Sequence, residues 1–353
     1  MSKLKIGVIF GGMSTEHEVS VVSGTSIIKN LDKEKYDIIP LYIDRAGNWN
    51  YYSKPINEIE ILHVGDNICE DEKEAVLNEF DVLKGLDIAF PVLHGLYGED
   101  GTIQGLLELL KVKYVGCRVL SSSVCMDKVY AKIIFDKAQI PQAKYIYVKA
   151  TNNQYYYIDN QFNETILPLD EIAKKVGENL GFSVFVKPSN SGSSVGIKKA
   201  KNEEELKEAI KYAVQYDSKI LIEEEMIGKE VECAVLGNEA VKSTCVGEIL
   251  SAEDFYTFDA KYKNAESRVV IPAEIPEEKQ KEIQELAKKA FKAVDCKGLA
   301  RVDFFIRESD NQVCINEINT LPGFTQISMY PKLWEACGLK YRELLDELIK
   351  LAY

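Results

Sequence analysis

Two short stretches near the end of the chain carry side chains suited to holding a metal ion. Arg301-Val302-Asp303 and Glu317-Ile318-Asn319 each sit in an apolar, strand-like run, and a turn around Ser309-Asp310-Asn311 joins the runs. Side chains alternate faces along a strand, so Arg301 and Asp303 share one face, as do Glu317 and Asn319. A turn centred on Asp310 sets Asp303 opposite Glu317 and Arg301 opposite Asn319. Mg²⁺ takes hard oxygen ligands, usually carboxylates completed by substrate phosphates and water. The plainer reading is an exposed strand face with charges paired across it. Against it, Val302, Phe304, Ile306, Ile315 and Ile318 mark the surroundings as buried, where polar groups need partners.

A second constellation is the strand Val184-Phe185-Val186-Lys187-Pro188 running into Ser189-Asn190-Ser191-Gly192-Ser193-Ser194-Val195-Gly196. Small residues leave backbone N–H groups free to wrap phosphate oxygens, and glycine permits the angles this needs. Lys187 supplies positive charge at the strand end. The order is not that of a Walker loop, because the lysine precedes the glycines. Alone, such a loop is more often a plain surface turn, and it is Lys187 together with the other constellations that reverses that reading.

Nearer the start, Gly11-Gly12-Met13-Ser14-Thr15-Glu16-His17-Glu18 follows the first strand. Glu16 stands where a dinucleotide fold would seat a pyrophosphate, so it repels phosphate and suits a substrate ammonium group. It also suits the positive end of a helix dipole, which leaves its role open. Thr15-x-x-Glu18 matches a capping box, giving Glu18 a structural reading. His94, in Pro91-Val92-Leu93-His94-Gly95, lies just past a strand end, where α/β proteins place ligands.

The elements that must position these groups alternate between apolar runs and helical patterns, the mark of an α/β protein. Strands are expected at 5–10, 36–43 and 87–92, with helices at 16–31 and 102–110, a Rossmann-like first domain. Residues 45–80 read as an insertion with loops. A helix is expected from Ser121 to about Lys137, a surface hairpin over 151–165, strands at 183–187 and 219–223, and a helix at 203–215. Further on come a strand at 231–236, a polar loop near 249–272, a helix at 277–294, and the strand pair 299–306 and 312–318. At 353 residues the chain suffices for two or three domains. Its formal charge of −13, from 43 basic and 56 acidic side chains, argues against broad nucleic-acid binding. No apolar run approaches a membrane span, and the N-terminus lacks a signal-peptide pattern. The eight cysteines form no C-x-x-C, so neither a zinc site nor a redox pair is signalled and a cytoplasmic home is expected.

Taken in order, these segments resemble the D-alanine–D-alanine ligase family of the ATP-grasp superfamily, from about Lys5 to the C-terminus. The resemblance rests on Phe10-Gly11-Gly12 with 14–20, His94 to Gly105, Met126-Asp127-Lys128, Lys187-Pro188 to Gly196, Asp259 to Tyr262, Arg301-Val302-Asp303 and 317–325. It implies a Rossmann-like domain over 1–117, then a two-lobed ATP-grasp fold. The central lobe, with the phosphate loop, would span 118–223, and the lobe with the metal and second-substrate site 224–353. Lys128 and Lys187 would hold ATP phosphates, with Ser194 in the loop above. Glu223, Glu224, Glu225 and Met226 would form the adenine hinge, with Glu230 on the ribose and Phe255 near the base. Lys261 and Phe305 join the ATP-binding set by the same resemblance. Asp303, Glu317 and Asn319 would bind two Mg²⁺, with Mn²⁺ as a substitute. Glu16, Ser193 and Tyr262 would position the first D-alanine, beside Val19 and His94. Arg301, the Gly323 backbone N–H, Ser328 and Met329 would take the second.

The implied reaction joins two D-alanine molecules through a D-alanyl phosphate for peptidoglycan precursors, in a homodimer that engages neither nucleic acid nor membrane. The nearest rivals are sister ligases making D-alanine–D-serine or D-alanine–D-lactate. Tyr256, Tyr262 and apolar Met329 favour D-alanine as second substrate. A non-catalytic nucleotide-binding module is a more distant reading, since such a module would be expected to lose the metal ligands that are present here.

Overall fold

In a computed structural model, residues 3–192, 194–250 and 268–353 are described. The first unit runs β1 (Leu4–Gly11), α1 (His17–Asn30), β2 (Tyr36–Ile43), β3 (Trp49–Tyr52), β4 (Lys73–Ala75), α2 (Glu79–Lys84), β5 (Ile88–Pro91), α3 (Thr102–Leu110) and β6 (Lys113–Tyr114). Its six strands lie in the order β4-β3-β2-β1-β5-β6. β1 pairs in parallel with β2 and β5, and β5 with β6. β1 is buried almost throughout, which explains its unbroken apolar run.

Two expectations are corrected here. Residues 45–80 are not only loops: β3 and β4 extend the sheet with antiparallel pairings. Strands of four and three residues are too short to show a period in sequence. The capping box is also absent. α1 starts after Glu16, which makes no side-chain cap, and Glu18 instead meets Arg45 at 3.0 Å.

The second unit contains α4 (Val119–Met126), α5 (Lys128–Lys137), β7 (Tyr145–Thr151), β8 (Gln154–Ile158), β9 (Glu164–Ile166), α6 (Leu169–Asn179), β10 (Val184–Pro188), β11 (Lys198–Ala200), α7 (Glu203–Ala213) and β12 (Lys219–Glu224). The expected single helix over 121–137 is two, broken at Asp127. The Asp127 carboxylate accepts the Tyr130 N–H at 3.2 Å and the Ser189 hydroxyl at 2.5 Å, so it caps α5 and ends α4. This sets Lys128 at the first turn of α5. The strand order is β11-β10-β12-β7-β8-β9, all antiparallel. The expected hairpin exists, with its turn at Asn152-Asn153, both at positive φ. A second hairpin adds β9.

The third unit is β13 (Gly228–Gly237), β14 (Lys242–Leu250), β15 (Arg268–Val270), α8 (Glu277–Ala293), β16 (Gly298–Arg307), β17 (Val313–Asn319), α9 (Met329–Ala336) and α10 (Tyr341–Leu351). Its sheet reads β15-β14-β13-β16-β17, again antiparallel. α8 covers one face with buried Ile283, Ala287, Ala290 and Phe291. The C-terminal helices pack back on the first unit: Phe324 meets Phe90 at 6.2 Å and Tyr330 at 5.6 Å between ring centroids. Five of the eight cysteines are buried and all are free, as small core hydrophobes would be.

Candidate functional site

One cavity of about 300 Å³ is lined by residues from all three units. On its floor, Asp303 pairs with Glu317 and Arg301 with Asn319, the register expected. The route to it differs from a turn simply centred on Asp310. Phe304 pairs with Ile315, one residue out of step, and the irregularity at Asn316 restores the expected pairing. A bulge of this kind re-aims side chains beside it. Arg301 donates to both Asp303 oxygens, Nε at 2.8 Å and Nη2 at 2.6 Å, and lies 3.0 Å from Glu232 on β13. Burial works against the buried guanidinium, but Asp303 and Glu232 outweigh it and raise its pKa further. Among the described residues the buried Asn319 Oδ1 has no hydrogen-bond partner. An unengaged hard oxygen beside two carboxylates fits a divalent cation.

The wall opposite carries the cations. Lys128 Nζ donates to the Ser191 carbonyl at 2.6 Å, tying α5 to the Ser/Gly loop. Burial lowers its pKa, with Glu317 opposing. Lys187, near the end of β10, pairs with Glu223, and Lys132 holds the other Glu223 oxygen at 2.6 Å. Burial would raise the Glu223 pKa, but the two ammonium groups outweigh it and bring it to about 2. The loop is braced from below: Asn190 N–H donates to Asp217 at 2.8 Å, and the Ser191 hydroxyl to the Val195 carbonyl at 2.7 Å. Ser194, at φ +60°, faces the cavity. Glu223, Glu224, Glu225, Met226, Glu230 and Phe305 line the same wall.

The remaining side is built by the first unit. Cβ atoms placed on Gly95 and Gly192 would come within 2.5 and 2.8 Å of Glu16 Oε2, so this carboxylate sits between the His94 loop and the Ser/Gly loop. His94 is buried, with Nε2 at 3.0 Å from the Ser23 hydroxyl and Nδ1 at 3.0 Å from the Leu321 carbonyl. Glu99 lies 3.7 Å from Nδ1 and accepts the Gly95 N–H at 3.1 Å. Burial raises the Glu99 pKa, His94 opposes, and nearby Glu16 adds to the rise. Gly323, Ser328 and Met329 close the end near Arg301, and the Ser328 hydroxyl accepts the Thr325 N–H at 3.0 Å.

Of the expected site residues, Glu16, His94, Lys128, Lys187, Ser194, Arg301, Asp303, Glu317, Asn319, Gly323, Ser328, Met329 and the nucleotide set from Glu223 to Phe305 within the described residues meet at this cavity. Val19 does not line it: the side chain is fully buried in α1. Ser193, Phe255, Tyr256, Lys261 and Tyr262 lie outside the described residues. Sequence reasoning passed over Lys132, Glu99 and Glu232. Glu232 left a signal, since Glu230 and Glu232 share one face of a strand that is apolar from Cys233 to Leu236.

The chain matches the family models for the D-ala D-ala ligase N-terminus over residues 5–117 and the D-ala D-ala ligase C-terminus over residues 134–350. This chain belongs to the D-alanine–D-alanine ligase family. The D-alanine–D-alanine ligase of Acetivibrio thermocellus is 48% identical, across 99% of this chain and 96% of that protein. Among solved structures, the family member from Coxiella burnetii superposes with a TM-score of 0.85 at 37% identity, covering 100% of this chain and 94% of that one. The VanG D-Ala:D-Ser ligase of Enterococcus faecalis also gives 0.85, at 36% identity over 100% of both chains. The fold is therefore the ATP-grasp fold of these ligases, with a sheet-rich domain in front.

Proposed function

We infer that this chain joins two D-alanine molecules into D-alanyl-D-alanine, forming ADP and phosphate, for peptidoglycan precursor synthesis. The observation carrying this is the single cavity where Lys128, Lys187, Asp303, Glu317 and Asn319 face Glu16 and His94. A carboxylate resists nucleophilic attack, so the first D-alanine is activated by taking the γ-phosphoryl group of ATP. Lys128 and Lys187 stabilise charge on the phosphoryl oxygens as it moves. Asp303, Glu317 and Asn319 would hold Mg²⁺, with Mn²⁺ as a substitute, and a bound ion supplies charge neutralisation at those oxygens. Among the described residues there is no group of three or more His, Cys, Asp or Glu placed to hold a metal ion.

Glu16 holds the ammonium of the first amino acid, and His94 lies beside it. The amine of the second D-alanine then attacks the acyl-phosphate carbon and phosphate leaves. Arg301 and the Gly323 N–H face the oxyanion, each such donor contributing about 3–4 kcal/mol. Ser193 and Tyr262 join Glu16 in this proposal, with 251–268 as the lid that excludes water. Phe255 and Lys261 complete the nucleotide set, and Val19 supports the first-substrate side from within α1. We assign the first domain to 1–117, the central lobe to 118–223 and the last lobe to 224–353. Each holds one of the three sheets, apart from Glu224, the last residue of β12, which falls one residue past the second boundary. A homodimer and a cytoplasmic location belong to the same reading. Among the described residues no helix is long and apolar enough to cross a membrane.

A D-alanine–D-serine ligase is the second reading, because the VanG enzyme superposes with the same TM-score as the Coxiella one. The apolar Met329 thioether, packed against Gly247, favours a methyl side chain. A product assay offering D-alanine with D-alanine, D-serine or D-lactate tests this. Preferential formation of D-alanyl-D-serine would reverse the assignment.

A further inference from the structure

Three carboxylates lie in a row across adjacent strands: Glu232 on β13 pairs with Asp303 on β16, which pairs with Glu317 on β17. Arg301 stands one step along β16, gripping both Asp303 oxygens and lying 3.0 Å from Glu232. Glu232 is buried on a strand whose neighbours Val231, Cys233, Ala234 and Val235 are apolar. A carboxylate is costly in such a place unless something uses it.

We propose that Glu232 is a positioning residue for the ligation step, holding Arg301 when Asp303 turns to the metal. The proposal rests on the ligase reading above. A divalent ion at Asp303 repels the guanidinium that now grips the same carboxylate. Asp303 with Glu317 and Asn319 on β17 would hold the ion, and the guanidinium would then be left to Glu232 on β13. There Glu232 Oε2, in ion-pair contact with Nε at 3.0 Å, would accept that edge in a charge-assisted hydrogen bond, leaving the other guanidinium N–H groups for the cavity. Without that anchor, Arg301 either remains on Asp303 and competes with the metal, or loses its aim at the second amino acid.

The test compares Glu232→Gln with Glu232→Asp in the full chain. Glu232→Gln should raise KM for the second D-alanine about tenfold, keep KM for ATP within about twofold, and weaken Mn²⁺ binding in the presence of ADP about tenfold. Mn²⁺ binding is read by electron paramagnetic resonance, without turnover. Glu232→Asp, which keeps the charge, should recover at least half of each loss. Unchanged D-alanine KM and Mn²⁺ affinity in Glu232→Gln overturn the proposal. So does equal damage in both variants, with ATP and D-alanine KM rising together, which marks a merely structural group. If Glu232→Gln does not fold, wild-type values in Glu232→Asp support the need for charge, and a KM loss shared by both substrates refutes it. A wild-type chain that forms no ADP in response to D-alanine overturns the ligase reading instead, and the Mn²⁺ measurement then decides the assignment of Glu232 alone.

Discussion

Glu223→Gln leaves two ammonium groups at the cavity wall without their counter-ion. The Glu223 side chain is 6% exposed and the Lys132 side chain 3%, with 2.6 Å between them, while Lys187 pairs with the second oxygen. The carboxamide keeps shape but not charge, and removing one partner from a buried ion pair costs about 3–5 kcal/mol. Proton affinity gives a second route to the magnitude. Burial pushes the Glu223 pKa up, but Lys132 and Lys187 outweigh it and carry it from 4.5 to about 2. At about 1.4 kcal/mol per tenfold change in proton affinity, this amounts to about 3 kcal/mol. The folded-state pKa is depressed, so the stabilisation is complete above about pH 4.5, declines below it, and is gone near pH 2. Urea denaturation of both proteins at about pH 7 and about pH 3 measures it. The variant should be less stable by about 3 kcal/mol at the higher pH, the gap narrowing to about 1 kcal/mol at the lower. A gap below about 1 kcal/mol at neutral pH, or one that does not change with pH, would refute the reasoning.

Three further substitutions test the site and its frame. Asp303→Asn should lower kcat by about a hundredfold or more, the scale of losing one partner to transition-state charge; single-turnover kinetics across a Mg²⁺ titration would reveal it, and a change under twofold would contradict it. Gly98→Ala places a Cβ 1.9 Å from the Leu93 carbonyl oxygen, so the loop carrying His94 must open. Loss of about 1–3 kcal/mol in thermal unfolding and reduced turnover are expected. Gly105→Ala is the contrast: it lies inside α3, and its Cβ meets nothing within 4 Å. Stability should rise by about 0.5–1 kcal/mol, measured by the same unfolding experiment.

The sequence by itself determined what local alternation and local chemistry can encode. β1 announced itself as a strand because burial on both faces demands an unbroken apolar run. Arg301, Asp303, Glu317 and Asn319 could be grouped because a strand's period of two leaves no choice about which side chains share a face. Lys187 before its Ser/Gly loop, and Glu16 after the first strand, carried their chemistry in residue type alone. Tertiary structure decided the rest, because its causes lie far apart in the chain. The short β3 and β4 exist as strands because an edge of the first sheet was there to receive them. Asp127 broke one expected helix into two because Ser189 and Lys219, more than sixty residues away, meet it there. The lateral register of Asp303 and Glu317 needed an irregularity at Asn316, which a symmetric turn does not foretell. Glu232 beside Arg301, and Lys132 behind Glu223, came together only through packing. Free energy of burial is a sum over neighbours, and a linear pattern names a residue's face without naming what will be pressed against it.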